Sequence, residues 1–180
     1  MGRFRLRRRG IRVDRVVDWL DEEGIRDESE ELTVIPGDER TTYRIPVKWG
    51  LLSEQEPMFI NLLLVSDWPD RISVVAKLLL DEEQNEGMKE LTESAREEIA
   101  KEVLESVLPY CDPQLVSFRL ETTMEPLQWG YMVFTSIFED ELSKTSLIRA
   151  IERVARYASW IGLIIQRQLE DYFRTPPPPT

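Results

Sequence analysis

The 180-residue sequence predicts an α+β fold: an antiparallel sheet of about six strands with three helices, in the order α-β-β-β-β-α-β-β-α, and a long C-terminal helix packed on the sheet. Three observations predict it. Apolar residues recur with a helical period in an opening, a middle and a closing segment. Six shorter stretches between them alternate apolar and polar residues, or are apolar throughout, as strands do. Proline, glycine and aspartate gather at the joints. One domain is expected over residues 11–174, with a flexible Arg-rich arm at 1–10 and a proline-rich tail at 175–180.

In the opening helix, RVDRVVDWLDEEGI, Val13, Val16, Val17 and Leu20 fall at i, i+3, i+4 and i+7. Gly24 is placed to end it in a left-handed cap, with Ile25 folding back. ELTVI (31–35) and TTYRIPVKW (41–49) are the first strands, and Pro46, which has no ladder donor, predicts an edge strand or a bulge. MFINLLLV (58–65) is apolar on both faces, as a central strand should be. The tight turn SDWPD joins it to RISVVAKLLL (71–80), an antiparallel hairpin.

DEEQNEG (81–87) reads as an acidic loop, and a middle helix over about 88–108 carries the stripe Met88, Leu91, Ala95, Ile99, Val103, Val107. QLVSFRLETTM (114–124) and LQWGYMVFTSIF (127–138) are two more strands, with Gly130 at an expected bulge. The closing helix starts near Ser143 or Thr145 and runs to about Phe173. Its main stripe is Leu147, Ile151, Val154, Ala158, Ile161 and Ile165, and a second row holds Ile148, Ala155, Gly162 and Leu169. Each large aliphatic side chain buried there contributes ~1.5–3 kcal/mol, so this face anchors the fold.

Composition excludes more chemistry than it suggests. Without histidine there is no Ser-His-Asp or Cys-His site and no histidine metal ligand. No GxxxxGK[ST] or GxGxxG can be written. The one cysteine, Cys111, stands beside Asp112, whose charge disfavours a thiolate, and it forms no disulfide within the chain. Acidic clusters at Asp21-Glu22-Glu23, Asp81-Glu82-Glu83 and Glu139-Asp140-Glu141 lie at element boundaries without EF-hand spacing and read as solvated loop and helix ends. No catalytic residue, cofactor or metal site is expected. The absence of a signal-type or membrane-length apolar run predicts a cytoplasmic protein with no membrane partner. Two Asn beside abundant Glu and Arg is a thermophile bias.

The element order resembles that of the type III secretion chaperone-like fold, which also occurs in YbjN-type proteins and in uncharacterised archaeal families. The segments carrying the resemblance are VDRVVDWLDEEGI, the strand series ELTVI through VVAKLLL, the middle helix, the later strand pair and SLIRAIERVARYASWIGLIIQRQLEDY. It implies a non-catalytic, usually dimeric module that binds a protein segment.

Two features of the residues themselves bear on function. YASWIGLII (157–165) is apolar on more than one face, and Tyr157, Trp160 and Ile164 form a stripe apart from the main one. That stripe is covered either by the chain's own loops or opening helix, or by a partner, as a dimer contact or a client groove. The second feature is charge. Residues 1–15 hold seven arginines and one acid, whereas the remaining chain carries 16 bases and 33 acids. Arg3, Arg5, Arg7, Arg8, Arg9 and Arg12 serve either as a loose countercharge to the acidic body or as a hook for nucleic acid.

Overall fold

The computed structural model describes residues 10–27, 33–35, 42–50, 58–65, 68–107, 109, 117–124 and 127–174. Among them the helices are α1 (Val13–Glu22), α2 (Glu82–Glu90), α3 (Glu93–Val107) and α4 (Lys144–Arg174). The strands are β1 (Thr33–Ile35), β2 (Thr42–Trp49), β3 (Met58–Val65), β4 (Arg71–Leu79), β5 (Ser117–Met124) and β6 (Leu127–Phe138). The fold is α+β, and the strands form a sheet in the order β1-β2-β3-β4-β6-β5. The pairs β1–β2, β2–β3 and β5–β6 are antiparallel. The chain divides into two compact units, residues 1–75 with 135–152 and residues 76–134 with 153–180.

The first unit begins with α1. Gly24, at φ 65°, closes that helix: its N–H donates to Asp21 O (3.0 Å), and the Ile25 N–H reaches back to Leu20 O (3.1 Å). This is the Schellman arrangement, and only glycine enters that backbone region without penalty. Val16 and Leu20 of α1 are fully buried, as are Ile45, Val47, Ile60, Leu62, Ile72 and Val74 of the strands and Leu147 and Ile151 of α4. Lys144, at the start of α4, holds Glu22 Oε2 (2.8 Å) and Glu23 Oε1 (2.7 Å). These two carboxylates, Glu22 first, raise the Lys144 pKa. At the N-terminus of α4, Ser143 Oγ accepts the Ser146 N–H (3.1 Å) and Ser146 Oγ accepts the Ser143 N–H (2.8 Å), a reciprocal cap.

Pro46 corrects one expectation: β2 is neither an edge strand nor bulged. Its pairing with β3 runs unbroken from Thr42↔Val65 to Trp49↔Met58. Residues of an antiparallel strand point their N–H and C=O alternately to either side. Pro46 O and Lys48 N both engage the 25–27 segment on the side away from β3, so the donor that proline lacks belongs to that short bridge and not to the long ladder.

The second unit corrects the helix count, which is four among the described residues and not three. The stretch read as an acidic loop is the start of α2. Asp81 accepts the Gln84 N–H (2.8 Å), and Gln84 Oε1 accepts the Asp81 N–H (3.2 Å), a full capping box. The buried Asn85 donates through Nδ2 to Leu80 O and Asp81 O, which pins that turn. The single middle helix is also divided. Leu91 is extended (ψ 149°), the Ala95 N–H donates to Thr92 Oγ1, and α3 starts afresh behind this cap. Arg96 caps the Leu91 carbonyl with two nitrogens, at 3.1 and 2.8 Å.

β5 and β6 form a hairpin in continuous register from Ser117↔Phe134 to Met124↔Leu127, so Gly130 is not a bulge. Its role is close approach: a Cβ there would stand 2.7 Å from Leu78 O on β4. On the α4 side, a Cβ at Gly162 would lie 4.0 Å from Leu78 Cδ2, which sets helix and strand in ordinary contact. Tyr131, Val133, Val154, Ala155, Ala158, Ile161, Ile165 and Leu169 are buried in this unit.

Candidate partner-binding surface

From Arg153 onward, α4 carries two opposite rows. Successive helical residues are rotated by 100°, so Ile161, Ile165 and Val154 fall on one side and Leu163 on the other. The first three are at most 4% exposed, whereas Leu163 is 66% exposed. Trp160, one turn before Leu163, is 39% exposed. Tyr157 and Ile164 lie on the flank between the rows and are half-buried. Arg156 and Arg167 are exposed on the outer side, and Glu170 on the same side accepts a hydrogen bond from Gln166 Nε2 (3.1 Å).

The structure thus splits the stripe predicted as Tyr157, Trp160 and Ile164. Trp160 is on the surface, and the other two are half-buried on the flank. Leu163 is the residue that sequence reasoning missed. The signal was its place three residues after Trp160 and two after the buried Ile161, which puts it opposite the core row.

The arginine arm is represented by Arg12 alone, since Arg3, Arg5, Arg7, Arg8 and Arg9 lie outside the described residues. Arg12 forms an ion pair with Asp14, two residues on. Their hydrogen bond raises the guanidinium pKa and lowers that of the carboxyl. The chain enters the first unit at Gly10 against Pro69, and the Ile11 N–H donates to Pro69 O (2.9 Å). Cys111 and the 175–180 tail also lie outside the described residues.

The acidic clusters have local structural work. Asp21 pairs with Arg26, Glu22 and Glu23 hold Lys144, and Asp81 caps α2. Glu139, Asp140 and Glu141 line a cleft in the first unit with Asp70 and the 47%-exposed Phe138. Among the described residues no three of the carboxylates or thiols meet in a group that could hold a metal ion. A cleft of the second unit has Lys77, Leu79, Gln84, Tyr131 and Gln166 in its wall. Burial pushes the Tyr131 phenol up to about 12. Among the described residues no helix is long and apolar enough to cross a membrane.

Two solved structures share this architecture. An uncharacterized protein from Methanothermobacter thermautotrophicus aligns with a TM-score of 0.60 and 25% identity, over 87% of this chain and 97% of its own. YbjN from E. coli aligns with a TM-score of 0.50 and 13% identity, over 89% of this chain and 94% of its own, a likeness of fold alone. The fold is therefore YbjN-like. No curated protein matches the chain. Residues 13–165, from α1 into the outer row of α4, match one family along their whole length, and the chain belongs to that family, described as Uncharacterized conserved protein (DUF2299).

Proposed function

We propose that this chain is a non-catalytic, chaperone-like protein-binding module of the cytoplasm, and that the outer row of α4 is its contact surface. One observation carries the reading: Trp160 and Leu163 stand exposed side by side on a helix whose opposite row already fills the core. Tryptophan supplies large apolar area at little conformational cost and is enriched among residues that dominate interfaces. The half-buried Tyr157 and Ile164 flank Trp160 one turn away on either side. The YbjN-like fold and the lack of histidine chemistry support the same reading. The test is capture from an extract of the source cell by the wild-type chain and by Trp160→Glu/Leu163→Glu, with sedimentation of both at several concentrations. The reading expects a partner, foreign or self, that the double variant loses. Identical capture and identical sedimentation would sink it.

Charge favours a second reading, a nucleic-acid- or ribosome-associated factor that uses Arg3, Arg5, Arg7, Arg8, Arg9 and Arg12. Six phosphate contacts predict a log–log salt slope of about −5 on duplex. Deletion of residues 1–10 should remove most of that slope, and binding unchanged by the deletion rules the arm out.

A further inference from the structure

The outer row of α4 carries opposite charges at equal distances on either side of Leu163. Seven residues before it stands Arg156, and seven residues after it stands Glu170. Seven residues are two turns, so both charges lie within about 20° of the Leu163 direction and about 10.5 Å along the axis from it. Trp160 stands three residues before Leu163, and Gln166 and Arg167 stand three and four after it.

We infer that the partner of this surface is a second copy of the chain, with the two α4 helices antiparallel about a two-fold axis at Leu163. This rests on the reading of the surface proposed above. In that arrangement Leu163 meets the partner's Leu163, Arg156 meets the partner's Glu170, and Trp160 lies under the partner's Arg167, each of the last two contacts occurring twice. A parallel pair would set Arg156 against Arg156 and Glu170 against Glu170, so charge selects the antiparallel one. A two-fold contact is also closed, because the same patch serves on both subunits and nothing is left to extend. Arg156, Trp160 and Glu170 each already have an interaction within the chain, Glu170 with Gln166, so pairing exchanges contacts and does not fill a vacancy. Guanidinium over an indole face occurs elsewhere in this chain: Arg15 lies 4.7 Å from the Trp19 ring centre and Arg71 lies 4.0 Å from that of Trp68.

The experiment uses the full chain. Sedimentation should show a monomer–dimer equilibrium. Arg156→Glu and Glu170→Arg should each weaken it on the order of tenfold, as opposed charges become like ones twice over, and the double variant should regain most of the loss. In a Cys111→Ser background, Leu163→Cys should form a disulfide-linked dimer under mild oxidation. Thr145→Cys, exposed on the same helix about five turns away, should not. Three results overturn the self-pairing: a monomer at every concentration, a double charge variant no better than the singles, or a Leu163→Cys chain that cross-links no faster than the Thr145→Cys chain. If such a chain still captures a foreign protein in a Trp160-dependent way, the binding-module reading stands without it.

Discussion

Ile161 and Leu163 are two residues apart, nearly equal in size and apolarity, and opposite in fate. The first is 1% exposed and the second 66%. Hydrophobicity therefore did not decide which of them entered the core; the 200° rotation between them did. The inner row stabilises the fold and the outer row leaves it almost untouched. The largest expected effect tests that division. Ile161→Ala removes buried methylenes from a packed site and should cost about 2–5 kcal/mol in chemical denaturation. A loss as small as that of Trp160→Ala would erase the distinction between the rows.

Tyr131 is buried in the same unit, beside the cleft that Ile165 also lines, and its ionisation probes how dry that side is. Its phenol stays protonated up to about 12, against the ordinary 10, because burial disfavours the phenolate. The folded pKa is the raised one. The contribution is therefore fully present below pH 10, where both states are protonated, and is lost as the pH rises from 10 through about 12. Two units correspond to at most about 2.7 kcal/mol. Urea midpoints measured across that window should fall for the wild type and should fall less for Tyr131→Phe. Equal slopes would mean that water reaches this phenol.

The two glycines that face β4 sharpen the comparison further. A methyl at Gly130 would press to 2.7 Å on the Leu78 carbonyl, a backbone atom that cannot turn aside. Gly130→Ala should therefore cost about 1–3 kcal/mol. A methyl at Gly162 would meet Leu78 Cδ2 at 4.0 Å, an ordinary contact. There the gain in helix propensity should prevail, and Gly162→Ala should stabilise by roughly 0.5–1 kcal/mol. Thermal midpoints that move the same way for both would contradict this geometry.

What could be read in advance was local. The Gly24 cap, the turn before β4 and the serine box at the start of α4 are set by residues that touch one another along the chain. Asp81 and Gln84 are equally local, and that capping box was legible, but the glutamates around it gave the stretch the composition of a loop. Buried Asn85 holds the turn down, and the sequence does not mark it as inside, whereas Met88 already stood on the apolar stripe. Pro46 and Gly130 were misread for another reason. Their roles depend on what lies beside them: the 25–27 segment at Pro46, and at Gly130 the strand β4, which neighbours β6 across the intervening α2, α3 and β5. At the proposed contact surface the excess apolar content of α4 was legible. Which of its residues faced outward required the rotation of the core row, and Leu163 was passed over for the flanking Tyr157 and Ile164.

The smallest expected effect is the most discriminating. An exposed leucine or tryptophan contributes little to the isolated fold, so Leu163→Ser and Trp160→Ala should each fall within about 0.5 kcal/mol of wild type at high dilution. Association changes the comparison, because anything that binds only the folded state adds stability that grows with concentration. Denaturation repeated at rising protein concentration should therefore raise the midpoint of the wild type and leave Leu163→Ser where it was. The gap between the two curves measures what the outer row does and a single isolated chain cannot. If both midpoints climb together, the association has its seat elsewhere, and the outer row is merely surface.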